Sequence, residues 1–483
     1  MNTALNEPLQ KYDDASAIRD ILDQQRDSFN LDGYPDIKIR LNRLDRLAKL
    51  LKENKVLISE AICSDFSNRS NFENVVFDVL AVLESIKYLR KRTAGWMKPD
   101  NRGANFPLNL FGAKAQVFYQ PLGVIGIMAP WNFPSNLIFS PLANVLSAGN
   151  RAILKPSEVT PATSALIAEL VPKYFAAEEV SVVTGGQETS AAFSAQPFDH
   201  LIFTGAPSIA KHVMRAAAEN LVPLTLELGG KCPVVLGRDA NMKSAVERIM
   251  TFKTLNSGQI CLAPDYTFMK KEQVPEFIEL CKKYVKDTFG TLSTNDDYCS
   301  IINPRHRARI VGYLDDAKQR GTEIIPLSDD IGLEKHADHH KLAPSLVIDP
   351  AYDSKIMTEE IFGPALPVKT YENISEVIDY INAGERPLAL YYFGHSKQES
   401  ELLKTNTTSG GMVVNDVAAH ILQDNLPFGG VGNSGMGCYH GFDGFRQFSH
   451  AKAYYKQGAI SLTSFLKAPR SNAVLKVFEK IMG

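Results

Sequence analysis

The chain has 483 residues, enough for two or three domains at roughly 150 residues each. It is 45% hydrophobic and 22% charged, which suits a globular protein with a sizeable core. A formal net charge of −2 argues against nucleic acid or an acidic membrane surface as partner, and no run reaches the ~18 apolar residues of a membrane span.

Met1 to Gln10 is polar and lacks the apolar core of a signal peptide. The six cysteines are scattered, with no Cys-x-x-Cys pair, and read as free thiols of a reducing, cytoplasmic compartment. Asp13-Asp14 can cap a first helix that carries Ile18, Ile21, Leu22, Gln25 and Phe29. Leu41, Leu44, Leu47, Ala48 and Leu51 continue the helical spacing. Phe72, Val75, Val76, Val79, Leu80, Leu83 and Ile86 predict a third amphipathic helix. Arg90-Lys91-Arg92 then reads as a solvated helix end. From Pro99 to Phe111 the chain is rich in Asn, Gly and Pro, which suggests a loop or excursion.

Short apolar runs follow at Val124–Met128, Ala152–Leu154, Val180–Val183 and Leu201–Phe203. Helical stretches lie near Pro161–Phe175, Thr189–Ala195 and Ser208–Asn220. Strands alternating with helices imply right-handed crossovers and a parallel, doubly wound sheet that binds ligands at the carboxyl ends of its strands. Lys155-Pro156-Ser157-Glu158 follows one such strand, and Phe203-Thr204-Gly205 closes another. After Glu227 the alternation restarts with a strand at Pro233–Leu236 and a helix near Met242–Leu255, a second α/β domain from about Gly229 to Asn425. Ala453 to Leu462 alternates like an edge strand.

Cys261 stands in the turn Gly258-Gln259-Ile260-Cys261. Most cysteines are small buried hydrophobes, but a thiol is also the most nucleophilic of the common side chains. Glu227 lies in the otherwise apolar run Leu226-Glu227-Leu228-Gly229-Gly230, surroundings that raise a carboxyl toward general-base range. Asn132, in Pro130-Trp131-Asn132-Phe133-Pro134, can donate an amide N–H to an oxyanion or simply serve a turn. Together the three supply the parts of acyl chemistry. No Lys, Arg or His adjoins Cys261 in sequence, so thiolate stabilisation falls to backbone N–H groups, a distant residue or a cofactor. Gly430-Val431-Gly432-Asn433-Ser434-Gly435 matches G-x-G-x-x-G but opens no βαβ unit and reads as a loop needing positive φ. His336-Ala337-Asp338-His339-His340 lacks a second ligand pair, and no metal is expected.

The motifs PWNFP (130–134), KPSE (155–158), FTG (203–205), ELGGK (227–231), GQIC (258–261), EIFGP (360–364) and PFGGVGNSGMG (427–437) occur in one order. In this the chain resembles an NAD(P)-dependent aldehyde dehydrogenase. Gly258–Tyr266 and Gly437–Gly441 are similar to the class 3 branch of fatty, aromatic and coniferyl aldehyde dehydrogenases. The resemblance implies an α/β fold: a Rossmann-type cofactor domain (1–98 and 120–228), an α/β catalytic domain (229–425) and a small bridging β-sheet (99–119 and 451–463) that makes a homodimer. It implies Cys261 as nucleophile, Asn132 with the Cys261 N–H as oxyanion donors, and Glu227 as activator of water. Trp131, Lys155, Glu158, Gly205, Ala206, Glu360 and Phe362 would hold NAD, with NADP used less well. Phe428 and the loop Asp416–Leu422 would line the pocket of a hydrophobic aldehyde. A CoA-acylating relative generally lacks the glutamate at position 227, and an inactive structural protein on this fold should have lost the nucleophile or base. The family usually reads Phe-Thr-Gly-Ser-Thr-x-x-Gly where this chain has Ala206, Pro207 and Ala210, so a hydroxyl and a glycine near the pyrophosphate are missing. Cys232 stands where serine is common.

Overall fold

Helices open the chain at Ala15–Asp32 and Ile37–Phe66, and Asp36 caps the second by accepting the Ile39 N–H at 2.9 Å. The computed structural model describes residues 15–106, 108–330, 340–461, 463 and 467–482. Asp13-Asp14 and the run His336–His339 lie outside them. The next helix departs from its sequence pattern: Asn71–Glu73 passes into π-helical turns at Asn74–Leu80, then into the α-helix Ala81–Trp96. Wider turns shift the buried stripe. Val79, Val82 and Ile86 reach the core, while Phe72 is 70% and Leu80 46% exposed. Val76, Phe77 and Leu80 instead face the large cavity described below, a common setting for π turns.

Strands β1 (Asp100–Asn101) and β2 (Lys114–Pro121) follow. Five parallel strands come next, β3 (Val124–Met128), β4 (Arg151–Lys155), β5 (Val180–Val182), β6 (His200–Gly205) and β7 (Leu224–Leu228), linked by helices at Asn136–Ser147, Pro161–Tyr174, Gln187–Ser194 and Pro207–Ala218. Then come β8 (Pro233–Leu236), β9 (Tyr266–Met269), β10 (Glu323–Pro326), β11 (Ser345–Ile348), β12 (Ala365–Thr370), β13 (Ala389–Phe393) and β14 (Gly411–Val414). The chain closes its sheets with β15 (Gly435–Met436) and β16 (Ser449–Lys456).

The fold is mixed α/β. One sheet has the order β15-β7-β6-β3-β4-β5, the second β10-β11-β12-β9-β8-β13-β14, and the third β1-β2-β16. In the first, the chain winds outward from β3 through β4 to β5, then restarts at β6 on the other side of β3. That reversal leaves a crevice at the carboxyl ends of β3 and β6. Residues 129–132, 155–158, 205–206 and 228–230 all leave strands on this edge. The first two sheets have inner strands that are buried on both faces, as covered parallel sheets require.

The last strand lies earlier than the alternation at Ala453–Leu462 suggests. Its pairing with β2 runs from Ser449↔Pro121 to Lys456↔Lys114, so β2 gives residues beyond Lys456 no partner. The same register carries β2 two residues past position 119. The third helix does not end at Arg90-Lys91-Arg92 but continues to Trp96; Arg90 lies on it in an exposed pair with Asp45 at 2.8 Å.

Candidate active site

The loop after β3 is tied down on both sides. The Ala129 N–H donates to the Lys155 carbonyl at 3.1 Å. Beyond it, the Asp78 carboxylate accepts the N–H groups of Ser135 (3.0 Å) and Asn136 (3.1 Å). Asn132 sits between, buried. Its side-chain amide donates to Gln259 O at 3.1 Å, and its carbonyl accepts from Arg69 Nη1 (3.1 Å) and Asn256 Nδ2 (3.0 Å). Arg69 is itself fully buried against Asp78 at 3.1 Å and Glu73 at 3.8 Å, with its guanidinium over the rings of Phe66 and Phe133. Glu73 in turn accepts the Asn256 N–H at 3.1 Å. One buried charge cluster therefore fixes the Asn132 loop and the turn that leads to Cys261.

That turn needs left-handed backbone three times running, at Asn256 (φ 46°), Ser257 (φ 50°) and Gly258 (φ 71°). Only glycine fits the third position, where a Cβ would stand 2.5 Å from Gly363 O. Gln259 fastens the turn to its neighbours, donating to Ser300 O at 3.1 Å and accepting the Ile302 N–H at 3.0 Å. Cys261 follows, half-buried at the cavity wall. Burial pushes its thiol up to about 12; Glu360 and Glu227 act in the same direction, while the N–H groups of Cys261 and Leu262 act against them. The Cys232 thiol, buried beside it, donates to the Cys261 carbonyl at 3.3 Å.

Glu227, on β7, is 4% exposed, and neither of its carboxyl oxygens has a hydrogen-bond partner among the described residues. Burial raises its carboxyl well above the usual range, the direction its apolar neighbours predict. The glycine-rich loop roofs this strand. Gly435 pairs with Glu227, and a Cβ on Gly435 would meet Leu226 O at 2.4 Å. The loop is thus a close-packed cover, not a phosphate cradle.

A cavity of about 1780 Å³ joins the crevice to the second sheet. It brings together Asn132, Glu227 and Cys261 with Trp131, Gly205, Ala206, Glu360, Phe362 and Phe428. Lys155 and Glu158 are not on its wall. Lys155 is buried at the end of β4, with Nζ 2.9 Å from the half-exposed Glu158 carboxylate. Of the loop expected to line the pocket, Ala418, Ile421 and Leu422 do so. Asp416 does not; it lies 3.6 Å from Arg248.

The cavity fits a dinucleotide. The Glu360 carboxylate would collide at 2.3 Å with a Cβ on Gly229, so glycine alone lets it lie there, accepting the Gly230 N–H at 3.2 Å. Burial first, then Asp265, raise Glu360 to about 7. At the other end the helix Pro207–Ala218 begins with Ala206 as N-cap and no side-chain capping bond. Pro207 has no N–H, and the Ile209 and Ala210 N–H groups both donate to the Ala206 carbonyl at 3.0 Å, so this helix start does not make up for the missing hydroxyl. Thr204 Oγ1, buried on the same wall, has no partner among the described residues. No group of His, Cys, Asp and Glu suited to a metal ion occurs among the described residues, and no described helix is long and apolar enough to cross a membrane.

Comparison with known proteins agrees with this geometry. The model of the aldehyde dehydrogenase family matches residues 11–454. A probable coniferyl aldehyde dehydrogenase of Caulobacter vibrioides is 48% identical over 459 residues, 94% of each chain. The coniferyl aldehyde dehydrogenase of a Pseudomonas species is 46% identical over 95% of each. A solved structure of Staphylococcus aureus AldH in its substrate-bound state superposes with a TM-score of 0.88 at 34% identity, covering 96% of this chain and 99% of that one. The chain belongs to the aldehyde dehydrogenase family. It is an NAD(P)-dependent enzyme of that family.

Arg69, Glu73, Asp78 and Asn256 escaped the sequence reading. Arg69 and Glu73, four apart, look there like an ordinary surface pair on a helix, and nothing local says that their charges are buried.

Proposed function

We propose that this enzyme oxidises an aromatic aldehyde, coniferyl aldehyde in particular, to its carboxylic acid, with Cys261 as nucleophile. The observation that carries this reading is the convergence of Cys261, Asn132 and the unpartnered Glu227 carboxyl on one cavity whose wall continues through Phe77, Phe428 and Tyr439. The names of its relatives point to the same substrate.

The thiol of Cys261 gives its proton to water and the sulfur adds to the aldehyde carbon, placing the carbonyl electron pair on oxygen. The Asn132 amide and the Cys261 N–H donate to that oxyanion. When bound, the oxidised dinucleotide would supply the acceptor for the hydride; Trp131, Gly205, Ala206, Glu360 and Phe362 would hold it, the last two at its nicotinamide end. Cys261 then carries a thioester. The Glu227 carboxylate takes a proton from water, the hydroxyl adds to the thioester carbon, and the carbon–sulfur bond breaks to release the acid. Glu227 favours this hydrolysis over transfer to CoA, and the retained nucleophile and base argue against an inactive structural protein.

The test is kcat/KM for coniferyl aldehyde, cinnamaldehyde and decanal, with acid measured in the absence of CoA. Aromatic aldehydes are expected to lead. A preference for decanal, or turnover that depends on CoA, sinks the reading.

NAD is the favoured cofactor in this proposal, with NADP used less well. A Glu158 carboxylate set against the adenine ribose would repel a 2′-phosphate, and Lys155, 2.9 Å from it, would offset only part of that charge. Glu158→Gln should narrow the NAD:NADP ratio of kcat/KM, by less at high salt because screening weakens the repulsion. An unchanged ratio would mean that Glu158 does not read the ribose.

A homodimer built through the three-stranded sheet completes the proposal, in a reducing cytoplasm that suits six free cysteines. β16 is an edge strand, exposed after Ser449, with Tyr454 and Tyr455 about half exposed. Light scattering at micromolar concentration should give twice the chain mass of 53.3 kDa; a monomer alone counts against it.

A further inference from the structure

The aldehyde side of the cavity is not uniformly apolar. Past Phe77, Leu80 and Ala81 its wall includes Ser85, Asp424 and His440. These three form a group. Gly441, next to His440, has φ +50°, and a Cβ there would lie 2.0 Å from Asp424 O, so the two backbones are pressed together. Ser85 lies close enough to the Asp424 carboxyl to lower it, and the exposed Glu84 close enough to raise it.

The His440 ring is locked in place, stacked on Phe428 at 5.2 Å and edge-on to Tyr439 at 5.1 Å. It is only 9% exposed, yet its Nδ1 has no hydrogen-bond partner among the described residues. A buried nitrogen without a partner is uncommon in a native protein and asks what completes it. Burial, and then His420 behind Phe428, lower His440 to about 4, so it is a neutral imidazole at physiological pH. A neutral imidazole both donates and accepts, which matches a hydroxyl rather than an ion. Burial raises the Asp424 carboxyl, and Ser85 offsets part of this. In its ionised form the carboxylate is a strong acceptor for an O–H donor.

We propose that His440, with Asp424 and Ser85, forms a hydrogen-bonding subsite for the ring hydroxyl of a phenolic aldehyde. The inference rests on the aromatic-aldehyde reading above and narrows it. The enzyme selects aryl aldehydes that carry a polar substituent far from the carbonyl, because an unsubstituted ring leaves the buried His440 Nδ1 unpaired.

The experiment measures kcat/KM for the matched pair 4-hydroxycinnamaldehyde and cinnamaldehyde, with hexanal as a third substrate, in the wild type, in His440→Phe and in Asp424→Asn. The wild type should prefer the hydroxylated aldehyde by about 10- to 100-fold, the discrimination a hydrogen bond to a charged or buried partner gives. His440→Phe keeps the ring that stacks on Phe428 and removes its nitrogens; Asp424→Asn keeps the shape and removes the charge. Each should bring the ratio down toward one, mainly by loss on the hydroxylated substrate. Should thermal melting show that His440→Phe does not fold, Asp424→Asn decides alone. Good turnover of both aromatic aldehydes with a wild-type ratio near one, or variants that keep the wild-type ratio, overturns the subsite while leaving the aromatic reading intact. Turnover of hexanal with neither aromatic aldehyde oxidised overturns both.

Discussion

Cys261→Ala is expected to abolish acid formation, a loss on the order of 10⁴-fold or more, while NAD still binds. The substitution takes one sulfur from the cavity wall and little else. The Cys232 thiol bonds the Cys261 carbonyl, which alanine keeps, and the turn before it is held by Gln259 and Asn256. Cofactor titration by fluorescence and turnover with aldehyde check the two halves. Turnover near wild type would remove Cys261 from the mechanism. The thiol offers a second readout. With burial pushing it up to about 12, the free enzyme holds a protonated thiol at neutral pH. Alkylation of Cys261 by iodoacetamide should therefore rise about tenfold per pH unit from pH 7 to 10, since only the thiolate reacts. A rate that levels off near pH 7 would show that the apo site already stabilises the thiolate.

Asn132→Ala should lower kcat by ~10²–10³, the usual loss for one oxyanion donor, with KM little changed. The backbone of the loop has independent support, because Arg69 and Asn256 bond the Asn132 carbonyl, not its side chain. The side chain does give one N–H to Gln259 O, so a thermal melt belongs beside the kinetics. Unchanged kcat with a raised KM would make Asn132 a binder of the ground state.

The alternation of strands and helices was legible in the sequence, since it depends on local apolar runs. The predicted strand Val124–Met128 is β3 residue for residue, and the run at Ala152–Leu154 is lengthened by one residue at each end. The grouping of Cys261, Glu227 and Asn132 was legible too, because each lies in a turn or strand end whose neighbours are unusual. What depends on distant partners was not. The register of β16 is set by where β2 begins. The π turns of residues 74–80 answer to a cavity that the helix's own pattern does not encode. Asp424 and Ser85 are an unremarkable loop acid and helix serine until the fold sets them beside His440. Lys155 and Glu158 were placed with the cofactor by motif, and the structure sets them off the main cavity wall as an ion pair of their own.

The Arg69 cluster bears on how this enzyme could be taken apart or recombined. Arg69, Glu73 and Asp78 precede both large sheets in the chain, yet they hold the carbonyl of Asn132 and the N–H of Asn256, groups that belong to different sheets' loops. The amino-terminal helices are therefore not a detachable prefix. A chimera that joined the first hundred residues of one relative to the remainder of another would have to match this buried triad to the recipient's loops. If it failed to, it would leave ionised groups without counter-charges in the interior, a fault that breaks the join at the reaction centre and not at the seam. A cut point that keeps this triad with its own loops lies elsewhere, in the exposed chain after β16.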